Sequence, residues 1–249
     1  MRIAAISDIH GNLPALEAVL ADIAAAGVDA TVNLGDLLSG PLWAAETADR
    51  LMALELPTLA GNHERQLLTV PPERMGASDA AAAGALDARR RAWLAWLPRT
   101  LRLSDEVLCC HGTPDNDLVY FLETVAPDGW RVATRAEADE RAGRAQHGMP
   151  NSVILCGHTH VPRVMRLSDG RLVVNPGSVG LQAYDDVHPH PHHIENGSPH
   201  ARYALLERSD DGWRVELRSV PYDSEAAARR AEEGHRPDWA VALRTGFVS

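Results

Sequence analysis

No stretch of this 249-residue chain approaches the about 18 uninterrupted apolar residues that a membrane-spanning helix requires, so no such helix is expected. No export signal is expected at the amino terminus either. Residues 1–7, MRIAAIS, read as a strand that runs straight into Asp8, whereas a signal peptide needs a longer apolar segment and a cleavage site ahead of the fold. Cysteine is scarce. Cys109, Cys110 and Cys156 are odd in number, form no CxxC and lie in the apolar runs EVLCC and SVILC. They are expected to be buried reduced thiols, which excludes a disulfide scaffold and fits a cytoplasmic location. Positive charge is in deficit as well: 24 Lys and Arg against 34 Asp and Glu leave a formal charge of −10. That balance argues against a broad surface for long nucleic acid, which needs clustered basic residues. Neither an internal repeat nor a linker interrupts the chain. With 45% hydrophobic and 23% charged residues, the expectation is a single domain over residues 1–249 with a well-developed core.

What the chain does have is metal-binding side chains at the ends of apolar runs. Five short motifs follow one another: DIHG at 8–11, GD at 35–36, GNHE at 61–64, CHG at 110–112 and GHTH at 157–160. They offer Asp8, His10, Asp36, Asn62, His111, His158 and His160, all oxygen or imidazole-nitrogen donors. Such a set suits borderline divalent metals, with manganese first and iron, zinc, nickel or cobalt as alternatives, rather than a thiolate-held zinc. Seven ligands exceed one tetrahedral ion. They fit two ions about 3.5–4 Å apart that share a carboxylate and keep positions for water and substrate.

The intervening segments alternate strand and helix. Asn12 reads as the cap of a helix over 13–26 that Gly27 ends, with Pro14 tolerated in its first turn. Strand signals at 29–34 and 57–60 flank a second helix over 43–55, a rhythm that predicts parallel strands with the site at their ends. Further on the pattern is more antiparallel, with hairpins over 100–110 and 164–175 and a strand at 152–156. Residues 76–98 carry Trp93, Trp96 and Leu97 at helical spacing and read as one packed amphipathic helix. Residues 134–147 also read as helical, and the carboxyl end as a hairpin over 203–220 followed by a helix over 224–233. The segment 184–200, YDDVHPHPHHIENGSPH, holds five histidines and three prolines; its composition predicts an irregular insertion, either a surface loop or a lid over the metals.

The motif order DxH, GD, GNHE, one His before Gly, then GHxH resembles the calcineurin-like metallophosphoesterase superfamily over roughly residues 3 to 180. GDLLSGP at 35–41 and NPGSVG at 175–180 look most like its small bacterial YfcE-like phosphodiesterase branch. The resemblance implies an α/β fold, a four-layer αββα sandwich of two mixed sheets flanked by helices with the dimetal centre at one edge. It also implies that one ion takes Asp8, His10 and His160, that the other takes Asn62, His111 and His158, and that Asp36 bridges them around an activated hydroxide. His63, next to Asn62, resembles the family's catalytic histidine, which faces the phosphate and protonates the leaving alkoxide.

The chain also departs from the protein phosphatases of that superfamily. Their GDxVDRG supplies a second Asp that orients the histidine and an Arg that grips phosphate; here the stretch has Ser39 and Gly40 instead. Orientation of His63 then falls to Glu64, a backbone carbonyl or another group, and Arg65 and Arg163 are the candidate substrate contacts. Without the arginine, a diester with its single negative charge suits the site better than a monoester. The function expected is a dimetal-dependent phosphodiesterase on small organic phosphates, with a phosphomonoesterase or protein phosphatase as the alternative and a nonenzymatic scaffold behind both.

Overall fold

In the computed structural model, which describes residues 1–145, 149 and 152–249, the chain folds as two mixed β-sheets packed face to face and flanked by helices. The elements follow in order. Strand β1 (Arg2–Ile6) leads through Asn12 into α1 (Leu13–Ala26), then come β2 (Ala30–Asn33), α2 (Ala44–Leu54), α3 (Asn62–Thr69), α4 (Ala77–Gly84) and α5 (Ala88–Trp96). Next are β3 (Thr100–Ser104), β4 (Val107–Cys110), the small hairpin β5 (Glu123–Ala126) and β6 (Gly129–Val132), α6 (Arg135–Ala142), and β7 (Val153–Leu155). The chain closes with β8 (Arg163–Arg166), β9 (Leu172–Asn175), β10 (Ala183–Asp186), β11 (His192–Glu195), β12 (Ala201–Ser209), β13 (Gly212–Val220), α7 (Ser224–Glu233) and α8 (Pro237–Thr245).

The first sheet has the order β13-β12-β1-β2 and the second β3-β4-β7-β9-β8. In the first, β1 and β2 are parallel; in the second, β4, β7 and β9 are parallel and only the edge strands run the other way. Strand β1 shows why the sandwich forms. Both its faces are covered, so RIAAI is almost continuously apolar. Ile3 and Ala5 meet Val107, Val153 and Val174 of the second sheet, while Ala4 and Ile6 face Leu16, Val19 and Ile23 of α1. On the far side Phe121, Leu122 and α6 cover the second sheet. The three thiols are free and buried in these layers.

Local signals decided the first helix. Asn12 Oδ1 accepts from Ala15 N at 3.3 Å, Pro14 sits in the first turn, and Gly27 ends α1 in the left-handed region at φ 66°. Three expectations need correction. The 57–60 strand contributes only a bridge from Thr58 to Asn33, because the chain turns into α3 directly at Asn62. The 76–98 segment is two helices, broken where Asp87 caps α5, and Trp96 is 87% exposed. The second half is mostly antiparallel, as expected, with a parallel centre where α6 carries the chain across from β4 to β7. Segment 184–200 is not irregular: β10 and β11 pair as a hairpin, with Pro189 and Pro191 confined to the turn and Pro199 beyond it, so no proline interrupts the ladder. The helix expected over 134–147 is α6; positions 146 and 147 lie outside the described residues. No helix among the described residues is long and apolar enough to cross a membrane.

Candidate metal centre and active-site cavity

Parallel strands of both sheets end at one edge, and the motifs sit in the loops there. Asp8 and His10 follow β1, Asp36 follows β2, His111 follows β4, and His158 and His160 follow β7, which is where open α/β sheets place their sites. Asn62 arrives differently, as the first residue of α3. Five of these side chains stand on left-handed backbone: φ is 55° at Asp8, 52° at His10, 54° at Asp36, 70° at His158 and 61° at His160. The loops hold one another in place. Asp8 N donates to Gly35 O at 2.9 Å, His10 N to Asp36 O at 3.1 Å, and Gly157 N to His111 O at 2.7 Å. Gly61 packs directly on Asp36, and a Cβ there would overlap its Oδ1.

The candidate ligands fall into two clusters, Asp8 with His10 and His160, and Asp36 with His111 and His158; in each, one donor atom per residue lies within 4.8 Å of the others. His10 Nε2 is 3.1 Å from His160 Nε2, and His111 Nε2 is 3.1 Å from both Asn62 Oδ1 and Asp36 Oδ2. The clusters adjoin, with His111 Nε2 4.0 Å from Asp8 Oδ1. Backbone carbonyls fix which nitrogen faces inward. His10 Nδ1 donates to Ser39 O at 2.8 Å, His111 Nδ1 to Leu34 O at 2.7 Å and His160 Nδ1 to Leu181 O at 2.7 Å, so each turns Nε2 toward the centre. His158 is reversed: its Nε2 donates to Leu118 O at 3.2 Å, and Nδ1 is the inward atom.

The electrostatics suit cations. Burial lowers His10 to about 4 and His158 to about 3, and lowers His160 as well, which keeps these rings neutral and their lone pairs free. Burial, with Asp36 beside it, pushes Asp8 up to about 7 against the pull of His111. At Asp36 the raising effect of burial is outweighed by His111 and His63, which hold its carboxyl well below the usual range. His111 is raised to about 10, Asp36 overcoming burial. Two buried carboxylates and facing imidazole lone pairs at 3.1 Å form a donor set complementary to divalent cations, and His111 would have to give up its Nε2 proton to join it.

His63 stands at the edge of this cluster, its side chain 27% exposed and Nε2 4.0 Å from Asp36 Oδ2. Its Nδ1 donates to Asp79 Oδ1 at 2.8 Å. Burial would lower its pKa, but Asp36 and Asp79 together raise it to about 9. Glu64, the adjacent carboxylate that the sequence offered for orienting it, binds backbone instead. It accepts from Asp36 N and Leu37 N at 2.9 Å and from Gly61 N at 2.8 Å, and so ties the Asp36 loop to the start of α3. Asp79, alone in the alanine run of α4, was missed because nothing local ties it to a motif 16 positions earlier.

The cluster opens into a cavity of about 1000 Å³. Its outer walls come from elements that carry no motif. Tyr120, Tyr184 of β10 and Trp239 of α8 line it, and their rings lie edge-on to His158 at 5.1 Å, His160 at 4.8 Å and His10 at 6.0 Å. The two arginines expected at the substrate are engaged elsewhere: Arg65 makes a two-pronged pair with Asp117 at 2.7 and 3.0 Å, Arg163 meets Glu123 at 2.7 Å, and neither lines the cavity. The guanidiniums that do line it are Arg141 and Arg236.

Comparison with known proteins follows the same lines. The family model described as Calcineurin-like phosphoesterase superfamily domain matches residues 1–195. An uncharacterized protein of Methanocaldococcus jannaschii is 24% identical over 261 residues, covering 95% of this chain and 94% of its own. Among solved structures, a metallophosphoesterase from Sphaerobacter thermophilus is 26% identical, with 98% of each chain covered and a TM-score of 0.72. A hypothetical protein from Pyrococcus horikoshii shares the fold at 18% identity, with 100% of this chain and 99% of that one covered and a TM-score of 0.73.

Proposed function

The chain belongs to the calcineurin-like phosphoesterase superfamily, and from that premise we propose that it is a two-metal hydrolase of small phosphodiesters. The observation that carries this reading is the convergence of the ligand set into two adjoining clusters with His63 beside them. Asp8, His10 and His160 would hold one cation, Asn62, His111 and His158 the other, and Asp36 both. When bound, such a pair supplies Lewis acidity toward the phosphoryl oxygens and lowers the pKa of water toward neutrality.

The chain's own residues do the rest. Asp79 accepts a hydrogen bond from His63 Nδ1–H, which leaves Nε2–H directed at the cavity. From there His63 stabilises charge growing on the phosphoryl oxygens and hands its proton to the departing alkoxide. The outer hydrogen bonds to Ser39, Leu34 and Leu181 keep three ligand rings from rotating, so the centre is set before substrate arrives. A cavity of about 1000 Å³ has room for a substituent on either side of phosphorus, which favours diesters over monoesters.

Hydrolysis of bis-p-nitrophenyl phosphate and p-nitrophenyl phosphate, each with manganese and with a chelator, tests the reading. Metal-dependent cleavage with the diester faster is expected, and His63→Ala should retain two ions per chain while slowing turnover by about 10²-fold or more. A protein that binds its metals and cleaves neither ester would refute it.

A further inference from the structure

The two sides of the cavity differ in chemistry. The wall beside His63 is polar and comes from α3 and α4. There Gln66 Oε1 accepts from Asn62 Nδ2 at 3.4 Å, Asp79 accepts from His63, and Ser78 Oγ accepts from Arg236 at 3.0 Å. The other wall, beside His158 and His160, is built by residues 118–120 and by β10. Leu118 O accepts from His158 Nε2, so this loop touches one of the clusters, yet Leu118 is 51% exposed and Val119 38%. The polar residues just before them serve to hold the loop. Asp117 pairs with Arg65, and Asn116 Oδ1 accepts from Leu118 N at 2.8 Å. Two large apolar side chains are thus left uncovered on the cavity wall, next to the metal ligands.

The polar groups on this wall already serve one another. The His190 carbonyl accepts from His192 Nδ1 at 2.8 Å, so His192 Nε2 accepts from Tyr120 at 3.0 Å, and Tyr120 Oη in turn accepts from Tyr184 at 2.7 Å. Both tyrosines therefore offer the cavity ring surface and no free hydroxyl proton. Arg141 donates to the carbonyls of Phe121 and Glu123 and to Thr124 Oγ1, which donates onward to Glu137. Asp185, next to Tyr184 on β10, projects to the opposite face of the strand, where His193 is its partner in register. A sugar or a second phosphate seated here would have to compete with these bonds. An apolar group would instead remove Leu118 and Val119 from water and leave every bond intact.

Building on the two-metal reading, we propose that the substrate is a phosphodiester with one apolar alkyl or aryl substituent, seated on Leu118, Val119, Tyr120 and Tyr184 and retained on phosphorus. The departing alcohol then lies along the polar wall, where His63 reaches it. Hydrolysis adds the oxygen of water to phosphorus and breaks the bond to the departing alkoxide, which takes its proton from His63. One water proton restores His63, the other passes to solvent, and the apolar alcohol leaves as its phosphate monoester.

Two esters of equal size and equal leaving group test the idea: butyl 4-nitrophenyl phosphate and 2-methoxyethyl 4-nitrophenyl phosphate, assayed on the metal-loaded protein. The expected kcat/KM ratio is about tenfold in favour of the butyl ester. It should contract about threefold or more when Leu118→Asn and Val119→Thr, both close in shape to the originals, are combined, with metal content unchanged because the Leu118 carbonyl is kept. Calorimetry with the uncleavable butyl and 2-methoxyethyl methylphosphonates supplies a readout apart from turnover: the butyl compound should bind more tightly and with the more negative heat-capacity change. A wild-type ratio near one, or a preference that the two substitutions leave unchanged, would overturn the proposal while leaving the phosphodiesterase reading intact. Failure to cleave both esters would count against that reading instead, and the calorimetric comparison would still decide whether the apolar seat exists.

Discussion

Replacing Asp79 by asparagine removes a charge while keeping the shape of the side chain that holds His63. In the native chain the bond runs from imidazole Nδ1 to Asp79 Oδ1 at 2.8 Å, with the carboxylate side chain only 8% exposed. A hydrogen bond to a charged acceptor contributes about 1.5–3 kcal/mol and a neutral one about 0.5–1.5, so the amide should cost about 1–2 kcal/mol of support for the protonated ring, or roughly 5–30-fold in kcat. Asp79→Ala, which also lets the ring turn, should cost about 10²-fold. Metal content by elemental analysis should stay at two ions, since Asp79 touches no ligand cluster. The loss should grow as the leaving group becomes a poorer one, from p-nitrophenolate to a simple alkoxide, because only the latter needs the proton. The decisive measurement is a double-mutant cycle: once His63 is alanine, Asp79→Asn should have almost no further effect on kcat. An equal loss with and without His63 would show that Asp79 serves the fold and not the histidine.

Three further outcomes are expected. Arg163→Ala strands the fully buried Glu123 carboxylate and should cost about 3 kcal/mol, a Tm drop of about 6–12 °C by calorimetry, with the KM for bis-p-nitrophenyl phosphate little changed; a large KM effect on a stable protein would instead make Arg163 a substrate contact. Asp22 accepts from Tyr203 Oη at 2.5 Å and from Arg218 at 3.1 Å, and these bonds hold its carboxyl below the usual range. Its contribution is therefore full above the unfolded carboxylate pKa of about 3.9 and fades as pH falls through the lower folded value, so the Tm gap between wild type and Asp22→Asn should close in strong acid; a gap unchanged from pH 7 to 2 would contradict it. Chelation should lower the Tm of the wild-type protein, and without metal Asp8→Asn should be the more stable of the two, since asparagine tolerates φ 55° and leaves one buried carboxylate instead of two. If Asp8→Asn is the less stable both with and without metal, the repulsion assigned to the buried Asp8 and Asp36 pair is wrong.

The parts of the fold that could be read in advance are those whose signals are local. Asn12, Pro14 and Gly27 bound α1 by capping chemistry alone, and the turn at 168–170 bounds the β8–β9 hairpin in the same way. Long-range pairing was less legible. Nothing in Val153–Leu155 says that it joins β4 and β9 in parallel; that follows from the path of α6 and from burial on both faces. Proline misled at 184–200, because counting prolines ignores where they fall: Pro189 and Pro191 occupy the turn, and the strands on either side keep their donors.

The site divides along the same line. Its ligands were legible because each stands in a short motif flanked by glycine, and the backbone explains that grouping. Five left-handed non-glycine residues cost about 1–2 kcal/mol each, a sum comparable to the whole stability of an ordinary domain, so the surrounding chain must over-determine them. Glycines at 35, 61 and 157 let neighbouring loops approach closely enough to do so, and the backbone bonds from Asp8 to Gly35 and from Gly157 to His111 close the set. Motif and strain are thus one requirement seen twice. The cavity's outer wall carries no such strain: Asp79, Tyr120, Tyr184 and Trp239 are positioned by ordinary helix, strand and loop geometry, and each reaches the centre through one or two side-chain contacts across the tertiary fold. Residues placed in that way leave no local mark, which is why the candidate ligand clusters are written in the sequence and the cavity's outer wall is not.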